Sequence, residues 1–322
     1  MRWGIACGLL WSVSVAQALP CREDDSLSET AASLLLKGEP VRGPELLRTA
    51  RAHGFEGVSV HAKESADDEQ LTQWLVQLGG DGSLLCGEAR SEDRRLVLAA
   101  RRGGTLTRSG NTLRIELEAG FRAPVLVFES AEGELLRVPA KVATVALPEG
   151  RFRRVQLLAE TTGGPRPVAE LALDAAPTIA TPSTAPEGGG TRLRSSEAML
   201  GQLTSYRHEQ GLGELRDNQL LSASAQRHAA RVCELGRLSH RVEGEDPELR
   251  LKREHVSARH VGEVLARAES SDRAFQALLD SPSHRLALGR REFTDVGVGQ
   301  ASDKKGQVCL VLLLAAWPRR MP

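Results

Sequence analysis

A chain of 322 residues, 41% hydrophobic and 26% charged, is too long for one ordinary core and calls for two or three globular units. Its 42 basic and 42 acidic residues cancel, and no long run carries one sign. The sequence therefore lacks the basic field that nucleic acid or a membrane surface would select.

In chain order, Arg2 precedes an uncharged stretch over 3–18, rich in Leu, Val and Ala, that ends in Ala16-Gln17-Ala18. Small residues at both outer positions are the mark of a secretory signal cleaved after Ala18, which predicts a secreted or periplasmic protein. The apolar part is too short to span a bilayer, and so is the later run 308–316, so no transmembrane segment is expected. Pro20 before Cys21 argues against a lipid anchor there. Cys7 leaves with the leader; Cys21, Cys86, Cys233 and Cys309 remain and admit two disulfides in three pairings.

Residues 19–83 read as a helical region. Leu34, Leu35 and Leu36 precede the stop at Gly38 and Pro40; Pro44 opens a second helix that closes before Gly54; Leu71, Trp74, Leu75 and Leu78 give a third before Gly79-Gly80. Residues 84–174 read as an antiparallel, sandwich-like domain, with strands at 96–98, 113–117, 124–128, 143–147, 155–158 and 168–173. Gly103-Gly104 and Gly163-Gly164 are turns, since no Lys-Ser/Thr follows to make a phosphate loop. One faint internal similarity links 87–101 (GEARSEDRRLVLAAR) to 299–317 (GQASDKKGQVCLVLLLAAW). Chance likeness of two strands is the simpler reading, and a degenerate duplicated module is the alternative. Residues 175–194 begin AAPTIATPSTAPEGGGTR, with almost no large apolar side chain before Leu193, and read as a linker.

In the C-terminal domain, 195–318, Ser195 or Ser196 caps a helix carrying Leu200, Leu203 and Tyr206. A second helix runs over 218–235 with Leu221, Ala225, His228/Ala229 and Val232 on one stripe, and a third carries Phe275, Leu278 and Leu279. Strands follow at 295–298 and 308–314. The last is apolar on both faces, so it should lie centrally between two helical layers. The whole is expected to be multi-domain α+β, its C-terminal part an α-β-α sandwich.

The segments LTSYRHEQGLGEL (203–215), AQRHAARVCELGRLSH (225–240), Gly262-Glu263 and SPSHRLALGRREFTDVGVG (281–299) together resemble the CAP superfamily of cysteine-rich secretory, antigen 5 and pathogenesis-related proteins, in its bacterial form. The resemblance implies a cleft of two His and two Glu. It assigns His240, Glu263 and His284 to that cleft, with Asp280 the nearest acid to the second Glu and Val264 in place of the family's Asn. Two imidazoles and a carboxylate could hold zinc or another divalent cation weakly, and no cofactor is required. His228, on an apolar stripe, is expected as a core or cleft-wall residue, and His255 and His260 as solvated loop residues. No GxSxG nucleophile motif is present, and no catalytic residue is assigned.

The expected function is that of an exported, non-enzymatic module binding a lipid, glycan or other envelope or extracellular ligand. A metal-assisted hydrolase using the His/Glu cleft, and a structural envelope protein with a vestigial cleft, are the competing readings; oligomeric state is left open. Assignment of the cysteines by domain pairs Cys233 with Cys309 and Cys21 with Cys86. Limited proteolysis should cut first within 175–192 and release a stable fragment starting near residue 190; first cleavage inside 195–318 would place the boundary elsewhere.

Overall fold

A computed structural model describes residues 19–37, 44–79, 84–92, 94–174 and 193–317. The expected leader at 1–18 and residues 175–192 of the expected linker lie outside them. The first unit contains β1 (Arg22–Glu23), α1 (Asp25–Lys37), α2 (Pro44–Ala52), β2 (His61–Glu64), α3 (Asp68–Gly79), β3 (Leu84–Arg90) and β4 (Arg95–Arg101). Asp24 caps α1, its carboxylate accepting from Leu27 N at 3.0 Å, and Leu27, Ala31 and Leu34 form the buried stripe.

The strands β3 and β4, expected to belong with the domain at 84–174, instead complete a sheet with β1 and β2 in the order β1-β3-β4-β2. The reason is that β4 is apolar on both faces. Leu98 and Ala100 pack with Leu27, Ala31, Leu34 and Leu46, while Ala99 packs with Leu75 and Leu84. Such a strand must be covered on both sides, and the helices before residue 83 supply that cover. The boundary expected at 83/84 therefore falls inside one folded unit.

The second unit is antiparallel: β5 (Gly104–Ser109), β6 (Thr112–Leu117), β7 (Arg122–Ser130), β8 (Leu135–Pro139), β9 (Thr144–Ala146), β10 (Phe152–Thr161) and β11 (Gly164–Ala172). Its sheets, β11-β10-β7-β8 and β5-β6-β9, share a core of Leu106, Leu113, Leu126, Phe128, Val155 and Leu157.

The third unit contains α4 (Ser196–Glu209), β12 (Arg216–Asp217), α5 (Gln219–Glu234), α6 (Pro247–Arg253), β13 (His260–Ala268), α7 (Ser271–Asp280), α8 (Pro282–Leu288), β14 (Asp295–Ser302) and β15 (Val308–Ala316). Ser195 caps α4 and Asn218 caps α5 through their side-chain oxygens. Every residue of β15 is buried, and it lies inside the sheet β12-β14-β15-β13. Leu310, Leu312 and Leu314 meet Met199, Leu203 and Leu278; Val311 and Leu313 meet Leu221, Ala225 and Val232. The result is an α-β-α sandwich. His260, expected in a solvated loop, opens β13 and is half-buried, because pairing with Ala316 carries it into the sheet.

The first and third units share one topology. Each contains the run short strand, helix, helix, strand, helix, strand, strand, with α4 before that run and α8 within it as additions in the third. In each, the first strand is parallel to the penultimate strand, and the last strand lies between the penultimate strand and the one between the helices. The register repeats as well. Glu23 pairs with Cys86 and Asp217 with Val296, and the next residue is a glycine in both, Gly87 and Gly297. A Cβ on Gly87 would collide with the backbone of Leu27 and Ser28; one on Gly297 would collide with the backbone of Leu221 and Ser222. The likeness between 87–101 and 299–317 thus falls on equivalent strand pairs, with Gly87 matching Gly297 rather than Gly299. Each unit also carries one cysteine pair at disulfide distance, Cys21–Cys86 with Cα atoms 5.9 Å apart and Cys233–Cys309 with 5.7 Å.

One polar face of the β11-β10-β7-β8 sheet joins the units. On β10, Arg154 lies opposite Glu129 of β7, and Gln156 lies opposite Glu170 of β11. Glu129 is fully buried and ion-paired with Arg153, Arg154 and, from α8, Arg285. Glu170 pairs with Arg154 and with Arg51 of α2, both at 3.0 Å. Burial pushes the Glu129 carboxyl up, but the three guanidinium groups outweigh it and hold it below the usual carboxylate range. Glu129→Ala would leave Arg153 and Arg285 without the anion they share and Arg154 with Glu170 alone. It should cost about 3–5 kcal/mol, seen as a lower urea midpoint, and an unchanged midpoint would remove Glu129 from this role.

Candidate functional site

The site forms where four elements of the third unit converge. Helix α5 ends at Gly236, whose φ of 64° turns the chain into Ser239-His240. Strand β13 presents Glu263, α6 presents Arg250, and α8, opened by Pro282 in its first turn, presents His284.

Glu263 is the centre. Its side chain is fully buried, and both oxygens are engaged. Oε1 accepts from His240 Nδ1 at 2.9 Å, and Oε2 is ion-paired with Arg250. Arg250 Nη1 also donates to the His240 carbonyl at 2.8 Å, so the guanidinium grips both the acid and the chain carrying the histidine. His228 lies 3.7 Å from Oε1, and its Nε2 donates to the Ser239 carbonyl at 2.9 Å. Burial lowers the His228 pKa, partly opposed by Glu263, so this ring is neutral at neutral pH.

His284 is different. Burial, with His240 nearby adding to it, pushes its imidazole down to about 4. Its Nδ1 is buried without a hydrogen-bond partner. A neutral ring with one unpaired buried nitrogen departs from the rule that buried polar groups are hydrogen-bonded.

The sequence-assigned residues therefore divide. His240 and Glu263 are in direct contact, and His284 stands beside His240. Asp280 takes no part: it ends α7, exposed, and accepts from Gln276 Nε2 at 2.8 Å. His228, expected as a cleft-wall residue, flanks the acid. Arg250 was missed, because nothing in PELRLKR separates it from the other arginines of the chain before the fold brings α6 against β13.

These residues do not fit the weak zinc or other divalent site expected of them. Among the described residues no group of three or more His, Cys, Asp or Glu is arranged to hold a metal ion. A cation at Glu263 would also have to displace His240 and face the Arg250 guanidinium. The same engagement denies Glu263 the role of a free general base. The first unit carries none of this chemistry. Ala62, opposite Leu98, stands where Glu263 stands opposite Leu313, and Leu34 stands seven residues after Leu27, as His228 does after Leu221.

Residues 200–314 match the model of the cysteine-rich secretory protein family, CAP. No curated protein matches the chain. Among solved structures it is similar to an outer surface protein from Borrelia burgdorferi, at 22% identity over 38% of this chain and 92% of that one, TM-score 0.36. It is also similar to an extracellular protein containing a SCP domain from Bacillus anthracis, at 16% identity over 66% of this chain and 67% of that one, TM-score 0.35. A third is a cysteine-rich secretory protein from Staphylococcus aureus, at 12% identity over 65% and 82%, TM-score 0.31.

The neutral His284 makes stability depend on pH. Its folded pKa of about 4 lies below the unfolded value of 6.5, so the unfolded chain binds the extra proton between them. Stability should be complete above about pH 6.5 and fall as pH drops toward about 4, by on the order of 3 kcal/mol from this residue. Urea midpoints measured across that window should show a shallower slope for His284→Gln than for the parent protein; parallel slopes would mean that His284 is not held neutral by the fold.

Proposed function

The C-terminal unit is a CAP domain, and we propose that the protein is an exported, non-catalytic binding module whose CAP cleft takes a lipid, glycan or other cell-envelope component. The observation that carries this reading is the pairing of a saturated acid with an unsaturated histidine. Glu263 is spent on His240 and Arg250 and so is not free to activate water, while His284 Nδ1 is left for a ligand.

The first unit argues against a vestigial cleft. Where this fold has dispensed with cleft chemistry, it has Ala62 and Leu34. The CAP domain instead keeps Glu263, His228 and Arg250 buried together, at a desolvation cost that an apolar replacement would avoid. Export agrees with two cysteine pairs at disulfide distance. No helix among the described residues is long and apolar enough to cross a membrane.

Co-sedimentation tests the proposal, with phosphatidylcholine–phosphatidylglycerol vesicles and purified peptidoglycan sacculi as the two probes. One of them should retain the protein, and His284→Ala should weaken that retention by about tenfold, the worth of roughly one lost hydrogen bond. Equal retention of the two proteins, or peptide hydrolysis that disappears in Glu263→Gln, would overturn it.

A further inference from the structure

The Gly163-Gly164 turn between β10 and β11 belongs to the sandwich, yet its contacts lie in the CAP cleft. The Gly163 carbonyl accepts from the backbone N–H of His240 at 2.8 Å and of Arg241 at 3.1 Å, and from Ser239 Oγ at 3.3 Å. Ser239 Oγ stands 2.7 Å from where a Gly163 Cβ would be. Gly164 has a φ of 100°, and a Cβ there would lie 2.8 Å from His240 Cβ and 3.3 Å from its ring. Both positions demand glycine, the second for conformation as well as for space. Thr161 braces the turn, its Oγ1 accepting from Gly163 N at 3.1 Å and donating to the Gly164 carbonyl at 2.8 Å.

The same strand reaches the second histidine. Gln156 Oε1 accepts from Ser281 Oγ at 3.2 Å and from Ser283 N at 3.1 Å, on the segment that carries His284. Arg285, the next residue, is ion-paired with Glu129. One edge of the sandwich thus lies over His240 and His284 together.

We propose that the β10–β11 turn is a built-in lid on the CAP cleft, closing its His240 side until a ligand displaces it. This rests on the reading of that cleft as the binding site. The lid's attachment suits release. It comprises two backbone hydrogen bonds, the Ser239 hydroxyl on the Gly163 carbonyl and a part-exposed Arg241–Glu160 ion pair at 3.0 Å. The Glu129 cluster, further along the sheet, can keep the units docked while the tip opens.

The test uses the full chain and two readouts that need no ligand: hydrogen–deuterium exchange over residues 239–241, and carbethoxylation of His240 by diethyl pyrocarbonate followed by mass spectrometry. In the parent protein the His240 and Arg241 amides should be protected and His240 slow to react. Gly164→Val forces a branched side chain against His240 and should speed both exchange and labelling by about tenfold, as local opening does. Glu160→Arg should do the same by repelling Arg241, and the double variant Glu160→Arg/Arg241→Glu should restore protection; this series decides the matter if Gly164→Val does not fold. Unchanged exchange and labelling in the folded variants would overturn the lid. So would faster labelling without increased retention on the probe that holds the parent protein. Failure of the binding reading is separately visible, as equal retention of the parent and His284→Ala with the labelling results intact.

Discussion

A carboxylate taken wholly out of water must be met by positive charge, and the placing of Glu129 answers that requirement with residues from two units. Arg153 and Arg154 come from the neighbouring strand, and Arg285 comes from the third unit. Through Arg154 the cluster continues to Glu170 and on to Arg51 of the first unit. Buried ion networks contribute little net stability compared with an apolar contact of the same size, but they are intolerant of misalignment. The cluster ties the sheet to both of its neighbours. That docking sets Gln156 against the backbone around His284 and lays the β10–β11 turn over His240.

The repeated topology explains why the two halves of the molecule differ chemically. Both must bring a helix backbone within contact of the penultimate strand, so both keep glycine at the point of approach, Gly87 and Gly297. Both must cover a last strand that is apolar on two faces, so both keep helices on either side of it. Nothing in those packing requirements demands a polar cleft. With Leu34 and Ala62 the first unit is a scaffold; with His228, Glu263 and Arg250 the third carries the site.

In that site, polarity is nearly balanced inside a closed shell. The acid is neutralised by a guanidinium, two imidazoles are held neutral by burial, and one nitrogen remains unpaired. A lid that replaces bulk water with its own carbonyl keeps the neighbouring amides satisfied while the cleft is closed.

Local features were legible in the sequence. The cap at Ser195 or Ser196, the second helix over 218–235, its stripe Leu221-Ala225-Val232 and the doubly apolar run at 308–316 are consequences of residues a few positions apart, and helices and strands form on that scale. His240, Glu263 and His284 stood out because their flanking segments resemble a known pattern, and Gly163-Gly164 was readable as a turn. Only the tertiary structure decided that β3 and β4 belong with the helices before them, that α6 brings Arg250 to Glu263, and that the turn at Gly163 rests on Ser239 and His240, some 76 residues away. Those outcomes depend on which buried charges find partners and which apolar faces find cover, and a linear pattern of charge and hydrophobicity does not say which distant residue will supply either.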